Sequence, residues 1–299
     1  MNDPIHLGAD AVVSSFSPGH PPAIEVASGC VMGVETRDSY NRCFQGDASI
    51  TAYYRDLGKR VKNPVTGPIF MRDLRPGDGL SVTIHSIALG ANGYVAAVPG
   101  IGVLGDADIV PTLAVFNARP DGLWFRGRRF TLRPNVGTIG VSPANGSVPT
   151  LDIGRHGGNL DCNDVTEGTT LHFPVYAPGG LLALGDVHAR MGFGEVYSGV
   201  NIDAVVTISM VRVPDAGWEQ VWFEDASSVM TLGVGARVED AIEEATRGMT
   251  ALLCRSLGIS MTEAIVLTGA ACDIRLGQAS KFGVNVSSYA VVPKTAFEG

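Results

Sequence analysis

The sequence lacks the features that mark several large classes of protein. No stretch approaches the roughly 20 apolar residues of a membrane-spanning helix, and the first residues show neither the basic segment nor the apolar run of a secretory signal. The five cysteines are scattered without a C-x-x-C pair, which argues against a disulfide framework or a structural zinc site. These absences predict a cytoplasmic protein with reduced thiols and no membrane partner.

Positive charge is also scarce. The 22 lysines and arginines face 30 acidic residues, for a net charge of −8. This balance argues against an electrostatic nucleic-acid binder. The hydrophobic content of 45% and charged content of 17% are typical of a globular chain that buries a substantial core.

Glycine, in contrast, is abundant. The chain has 38 glycines in 299 residues, nearly twice the usual share of about 7%. Pro-Gly and Asn-Gly pairs recur along it, a pattern typical of short strands joined by tight turns. We therefore expect a hairpin around Ser28-Gly29, an Asn92-Gly93 turn before a strand, a hairpin over 124–130 with a solvated arginine tip, and one helical turn at 52–57.

Helical periodicity is confined to the last part of the chain. Apolar residues recur at helical spacing from Val238 to Leu253, Gly258 is a good stop, and Ser260 to Glu263 reads as a capping box. Because the helices follow the strands rather than alternating with them, the predicted fold is mainly β or α+β. It consists of two related β modules, sandwich- or barrel-like, followed by a C-terminal helical pair and a strand. The predicted regions, packed as one unit, are an N-terminal β module (1–150), a second β module carrying the site (151–235) and a C-terminal α/β part (236–299) with helices at about 238–257 and 260–273 and a last strand at 283–292.

An internal repeat supports the two modules. Both copies read G-x-[aliphatic]-x3-D-x3-G-x2-L-x3-[aliphatic], beginning at Gly67 and at Gly158, an offset of 91 residues. Each copy predicts a strand, a turn that begins at Asp, and a second strand. We infer that the modules are related and that the chemistry lies in the second.

The residues that hydrolytic or metal chemistry needs are concentrated between Arg155 and Gly199. The polar set there is His156, Asn159, Asp161, Asp164, Asp186, His188 and Glu195. The apolar run 181–184 predicts a buried strand, and on an extended chain Asp186 and His188 point to the same face. A carboxylate and an imidazole placed in this way suit either a divalent metal or a general base with its orienting partner.

Several motifs together resemble the acetamidase/formamidase family of amide hydrolases. They are, in order, T-x-D (36–38), NPVTGPIF (63–70), GTIGVSP (137–143), HGGNLD (156–161), LALGDVHARMGFGE (182–195) and DIRLGQ (273–278). The resemblance covers nearly the whole chain. It implies a cytoplasmic, β-rich homo-oligomer, a dimer or higher, that hydrolyses formamide- or acetamide-like short amides to a carboxylate and ammonia.

Two departures from the family pattern lie beside the expected site. Phe193 stands where the family usually has an acidic residue, and Tyr197-Ser198 stands where a cysteine is common. Both predict an altered pocket, so a larger amide substrate stays open.

A metal-activated water is the mechanism that we favour under this resemblance. Asp161, Asp186 and His188 are the predicted ligands of a divalent ion, with zinc favoured and no organic cofactor. Glu195 is the predicted general acid/base, so that Glu195, His188 and Asp186 form the catalytic set. The predicted substrate-binding residues are Asn159, Gly158 and Phe193, and the second-tier candidates are Asp38 and His156.

Two alternatives are kept open. A Cys162 nucleophile would need a Lys partner, but the span 155–199 has no Lys, and the neighbouring Asp161 and Asp164 would raise the pKa of the thiol. A non-catalytic small-molecule-binding protein would have no physical reason to keep several charges that cost stability when buried. The sequence does not decide whether Arg275 reaches the site or a subunit interface.

Overall fold

The computed structural model describes residues 5–45, 49–56, 63–279 and 285–296. Nineteen strands join in one large, curled, mostly antiparallel sheet, and two short strands pair separately. A pair of helices follows near the C-terminus. The prediction of a mainly β or α+β fold with a late helical pair is confirmed.

The elements are defined by their residue bounds. The strands are β1 (Ile5–Leu7), β2 (Val12–Val13), β3 (Ser15–Phe16), β4 (Ile24–Val26), β5 (Cys30–Thr36), β6 (Val65–Met71), β7 (Gly79–Ala97), β8 (Thr112–Arg119), β9 (Gly122–Phe125), β10 (Arg128–Phe130), β11 (Asn135–Gly140), β12 (Val148–Pro149), β13 (Ile153–Gly154), β14 (Gly157–Asn159), β15 (Thr170–Pro174), β16 (Leu182–His188), β17 (Asn201–Val213), β18 (Trp222–Glu224), β19 (Ser228–Gly235), β20 (Asp273–Leu276) and β21 (Val286–Pro293). The helices are α1 (Ile50–Arg55), α2 (Val238–Leu257) and α3 (Met261–Ala271), with short 3-10 turns at Cys43–Gln45 and Lys294–Ala296.

α2 ends and α3 begins where their sequence signals predict, and α3 ends at Ala271, slightly before the predicted 273. Gly258 takes a left-handed conformation (φ 66°) after α2, and Ser260 and Glu263 form a reciprocal capping box at the start of α3. The apolar face of α2, including Met249, packs on β21 through Ala290. Helix α2 and strand β19 lie so close together that a Cβ added to Gly233 of β19 would overlap atoms of α2.

The 91-residue repeat recurs in the backbone hydrogen bonds. β7 and β15 pair antiparallel with Ser81 opposite His172, two positions separated by that offset. The equivalent bonds on either side run from Gly77 N to Val175 O and from Gly168 N to Ile84 O. The two copies are thus related by a local two-fold axis between Ser81 and His172, whose side chains are also hydrogen-bonded. The boundaries of the three predicted regions stay a prediction.

Four neighbouring strands form the part of the sheet that carries the site. β11 pairs antiparallel with both β14 and β16, and β16 also pairs with β6. β17 is the next strand after β16 and pairs with it only at its start; along its length it pairs with β5 and β7. All of these strands except the short β14 contribute to one buried apolar core. The site therefore lies on a rigid layer with its neighbours fixed on both sides.

Two of the turn predictions are wrong. β4 pairs in parallel with β6, whereas β5 pairs with β17, so no hairpin forms at Ser28-Gly29. β7 runs unbroken through Asn92-Gly93, because pairing with β17 and β8 keeps this stretch extended. The hairpin over 124–130 is confirmed by the β9–β10 pairing, with an exposed arginine tip.

Two other predictions fall partly on residues outside the described ranges. The helical turn at 52–57 corresponds to α1, and residue 57 is not described. The last strand is β21, and the predicted start at 283 also lies outside the described residues.

Within the described ranges, no single helix has the length and apolar content to span a membrane. The α2–α3 pair passes that test by length and composition together, with a bend of 116° between the two helices.

Candidate active site

Four side chains from three segments meet in the interior. Asp161 follows β14, Asp186 and His188 end β16, and Glu195 lies in the loop after β16. Potential ligand atoms of the first three all lie within 4.8 Å of one another. The sequence therefore identified the residues that the fold brings together.

The cluster is compact and almost completely buried. His188 Nε2 lies 3.5 Å from Asp186 Oδ1 and 3.9 Å from Glu195 Oε1. Relative exposure is 5% for Asp186 and Glu195 and 1% for Asp161 and His188. Burial of three carboxyl groups around one imidazole is unfavourable unless another group compensates for it.

All three acids have a backbone conformation that is unusual for a residue with a side chain. Their φ angles are 45° for Asp161, 53° for Asp186 and 34° for Glu195. Non-glycine residues with positive φ are uncommon, and such conformations cluster at functional sites. The left-handed conformation at each acid turns its side chain away from the direction that a regular strand would give it. Strand periodicity alone therefore does not predict where these side chains point.

Two glycines bracket the imidazole of His188. A Cβ on Gly137 of β11 would lie 2.8 Å from His188 Cε1, 2.8 Å from Asp161 Oδ1 and 2.7 Å from the Asp186 carbonyl oxygen. A Cβ on Gly199 would lie 2.4 Å from His188 Cδ2. Both positions require glycine because the ring and the backbone come closer than a methyl group allows.

Neutral donors surround the carboxylates. Asp161 Oδ2 accepts from Asn159 Nδ2 at 2.7 Å and from Gln278 Nε2 at 2.6 Å. Thr138 Oγ1 lies 2.5 Å from Asn159 Oδ1 and 3.2 Å from Asp186 Oδ2. Asn63 Nδ2 donates to both Thr138 and Asn159, at 2.9 and 2.8 Å. These amides and the hydroxyl fix the carboxylates without adding positive charge.

Burial and mutual repulsion change the ionisation of the cluster. Burial raises the pKa of Asp161 well above its usual value, and the charge of Asp186 raises it further. Burial also raises the pKa of Glu195, with added contributions from Asp161 and Asp186. Burial lowers the pKa of His188, against the opposing effect of Asp186. In isolation the cluster therefore favours neutral carboxyl groups on Asp161 and Glu195 and a neutral imidazole on His188.

The donor set suits a divalent cation. Two carboxylates and one neutral imidazole form a nitrogen–oxygen ligand set that zinc and similar ions accept. Among the described residues, no lysine or arginine pairs with Asp161 or Asp186, and His188 Nδ1 has no well-oriented hydrogen-bond partner. The residues present thus fit an ion that supplies the missing positive charge.

Cys162 lies beside Asp161 but faces away from this chemistry. Its side chain is fully buried, and the thiol contacts the Leu160 carbonyl. Burial raises the pKa of the thiol well above its usual value, and Asp161 and Asp164 add to the effect. A thiol held protonated is a poor nucleophile, which argues against the Cys mechanism.

Comparison with known proteins gives a consistent picture. A profile of the Acetamidase/Formamidase family matches residues 144–227. A formamidase from Methylophilus methylotrophus is 44% identical over 50 residues, which are 17% of this chain and 12% of that protein. The crystal structure of an acetamidase from Bacillus halodurans matches with a TM-score of 0.90 and 29% identity over 97% of both chains. That of a predicted acetamidase/formamidase from Thermoanaerobacter tengcongensis matches with a TM-score of 0.90 and 28% identity over 97% of this chain and 96% of that one.

The chain is thus similar to the acetamidase/formamidase family of amide hydrolases, over one stretch of its sequence and over nearly its whole fold.

Phe193, where the acetamidase/formamidase family usually has an acid, lies between two arginines. The guanidinium carbons of Arg133 and Arg275 are 4.4 and 5.5 Å from the ring centroid. Both arginines also pair with Asp164, at 3.6 and 2.5 Å. The ring thus makes cation–π contacts with both arginines, and it is 42% exposed. Arg275 reaches the loop that carries Glu195.

Tyr197, the second departure from the family pattern, anchors the connection between β7 and β8. Its hydroxyl accepts from Val98 N at 2.6 Å and lies 3.1 Å from the Ala96 carbonyl oxygen. The next contact along this connection runs from Val103 N to Val196 O, at 2.8 Å. Tyr197 therefore ties an exposed loop to the segment that directly follows Glu195.

The two second-tier candidates lie apart from the four-residue cluster. Asp38 is buried next to Asp203 and accepts from the Tyr40 and Arg42 amides. Burial and then Asp203 raise its pKa to about 7. The His156 ring instead packs edge-on against Phe16, and burial lowers its pKa to about 4.

Gly158 has a structural reason to be glycine. Its φ is 105°, and a Cβ there would lie 2.3 Å from the Asp152 carbonyl oxygen. This close approach lets β13 and β14 pair. Substrate contacts of Gly158, Asn159 and Phe193 stay predictions.

Three cluster-supporting residues were not assigned a role from the sequence. They are Asn63, Thr138 and Gln278, which belong to motifs already noted, NPVTGPIF, GTIGVSP and DIRLGQ. Each is distant in sequence from the acids, so no local pattern places it at the site. The signal that could have found them was their membership of the family motifs.

Proposed function

We propose that this protein hydrolyses a short-chain aliphatic amide, of the formamide or acetamide type, to a carboxylate and ammonia by means of a metal-activated water. The observation that carries the proposal is the buried Asp161–Asp186–His188 group, with Glu195 beside it. The similarity to this family supports the reaction class. The cluster is at most 5% exposed, which supports a small substrate.

Each residue has a distinct part in the proposed reaction. Asp161, Asp186 and His188 would hold the divalent ion, for which zinc is our first choice. Such an ion would supply a bound water of lowered pKa and would polarise the substrate carbonyl. Glu195 takes the proton that the attacking water loses and passes it to the leaving nitrogen. Its burial favours the protonated form in which it donates.

The surrounding side chains hold these groups in place. Asn159 and Gln278 fix one oxygen of Asp161, and Thr138 contacts one oxygen of Asp186. Burial keeps bulk water from competing with the substrate and strengthens the electrostatic interactions inside the site. Cytoplasmic location and homo-oligomerisation stay predictions.

The test is an ammonia-release assay with metal analysis of the purified protein. Formamide, acetamide, propionamide and bulkier amides are compared before and after chelation, and with zinc added back. We expect ammonia from a small amide, its loss with chelator, and its return with one metal. Removal of a residue essential to the chemistry costs about 10³-fold or more, so His188→Ala should fall near background. His85→Ala, an exposed histidine on β7, is the matched control.

Three results would contradict parts of the proposal. Full activity in His188→Ala would eliminate the metal mechanism. Activity confined to bulkier amides would exclude the short-chain substrate and point to the altered contacts around Phe193. A protein without metal and without ammonia release from any amide would favour the small-molecule-binding alternative.

A further inference from the structure

We propose that Gln278 is a substrate-binding residue: its Nε2 holds Asp161 while its Oε1 accepts an N–H of a primary amide. The inference rests on the proposed function and narrows it, because it selects primary amides over substrates without an N–H. Gln278 lies 83 residues beyond Glu195, outside the stretch 155–199.

The donor side of this amide is fixed by Asp161. Gln278 Nε2 donates to Asp161 Oδ2 at 2.6 Å, and the same oxygen accepts from Asn159 at 2.7 Å. Asp161 must be ionised to bind a metal, and with this acid ionised the opposite amide orientation would place Oε1 against a carboxylate oxygen with no donor between them. The orientation shown therefore places NH₂ on the acid and leaves the carbonyl oxygen for another partner.

The backbone holds Gln278 from two sides. Its amide donates to Ser287 Oγ at 2.7 Å, and its carbonyl accepts from Ser287 N at 3.1 Å. On the other side it forms a parallel bridge with Gly194, and Ala279 N donates to the Gly194 carbonyl at 2.9 Å. Gln278 thus joins β21 to the loop of Glu195, and its side chain has little freedom to move.

The acceptor side has no partner. Gln278 is fully buried, and Oε1 makes no hydrogen bond to any described residue. A buried acceptor without a donor is unfavourable and requires an explanation. A primary amide brings two N–H donors, whereas the corresponding ester brings none. Because Oε1 belongs to the same amide group that binds Asp161, a substrate N–H bound there would lie beside the cluster.

The test uses two substitutions at one position. Gln278→Met has similar length and removes both donor and acceptor, while Gln278→Glu keeps an acceptor. Acetamide is compared with methyl acetate, which has the same acyl group and no N–H; the ester serves as substrate or, if it is not turned over, as competitive inhibitor. Zinc affinity is measured separately by chelator competition. Gln220→Met, at a partly buried glutamine bonded to Leu232 O, is the control.

For Gln278→Met we expect a fall in kcat/KM for acetamide. This fall should be at least about tenfold larger than the change for methyl acetate, measured as kcat/KM or as the inhibition constant, because only the amide loses a hydrogen-bond acceptor. Zinc affinity should weaken by about 10- to 100-fold, as for other residues that orient metal ligands. Gln278→Glu keeps an acceptor but loses the donor to Asp161, so it should retain most of the amide preference while zinc affinity weakens. Gln220→Met should change neither measurement.

The outcomes separate this inference from the proposed function. Equal losses for amide and ester would overturn the substrate contact, and unchanged zinc affinity would overturn the support of Asp161. If the native protein releases no ammonia from any amide, the proposed function fails and the substrate contact fails with it. The zinc measurement would then still decide the contact with Asp161.

Discussion

Gly137→Ala is the most direct steric test of the site. The backbone of Gly137 is not in the left-handed region, so alanine is acceptable there on conformational grounds. The added Cβ, however, would lie at 2.7–2.8 Å from the Asp186 carbonyl oxygen, Asp161 Oδ1 and His188 Cε1. Real Cβ atoms essentially never come so close, and one of the three contacts is with rigid backbone. The strand or the cluster must therefore move by several tenths of an ångström.

The magnitude follows from these contacts. Overpacking of a well-packed interior costs about 1–3 kcal/mol, which for a chain of this size lowers Tm by roughly 2–8 °C. Misplacement of catalytic groups by about 1 Å can cost 10²-fold in rate. We expect Gly137→Ala to fold, to lose about 10- to 100-fold in zinc affinity and to lose at least a similar factor in kcat. The assays are differential scanning calorimetry, chelator competition and ammonia release.

Gly269→Ala is the matched control. Gly269 lies in α3 with no atom within 4 Å of its added Cβ. Alanine at an exposed helical position should raise stability by about 0.5–1 kcal/mol and leave activity unchanged. If Gly137→Ala keeps native zinc affinity and kcat, the cluster is not the reaction centre and our reasoning from its geometry is refuted.

Two further predictions concern the Arg212–Asp78 ion pair and the Cys162 thiol. Arg212, with two bonds to Asp78, holds the pKa of that carboxyl at about 2. Because this pKa is depressed below its unfolded value, the stabilisation is present above about pH 4 and is lost as the pH falls towards 2. The Tm difference between native protein and Asp78→Asn should shrink over that window; a constant difference would contradict the assignment. Cys162→Ser should keep its kcat at a stability cost of about 1 kcal/mol, since the hydroxyl can still bond the Leu160 carbonyl; a large loss of kcat with native metal content would reinstate the thiol.

The sequence predicted local features well where one short-range rule decides the structure. The end of α2 and the start of α3 follow from glycine and a capping box, and the strand that carries Asp186 and His188 follows from its apolar run. The hairpin at Ser28-Gly29 failed because strand pairing is decided by distant segments, in that case β6 and β17. Turn propensity carries no information about such partners.

The site was predictable only in part for the same reason. Asp161, Asp186, His188 and Glu195 stand out because they are polar residues among glycines in one stretch. Their supports come from β11, from the segment before β6, and from the segment after β20, and each contact depends on the closed sheet. The left-handed φ angles of the three acids also depend on tertiary contacts and leave no signature in composition.

The distribution of the cluster's contacts along the chain has a consequence for biosynthesis. The network that holds Asp161 and Asp186 extends from Asn63 to Gln278, so its members are far apart along the chain. Asn63, Thr138 and Asn159 are synthesised before the two acids, whereas Gln278 is synthesised after them. Tight metal uptake by a nascent chain therefore becomes possible only once Gln278 has left the ribosome. Metal acquisition would then report that the segment from Asn63 to Gln278 has folded.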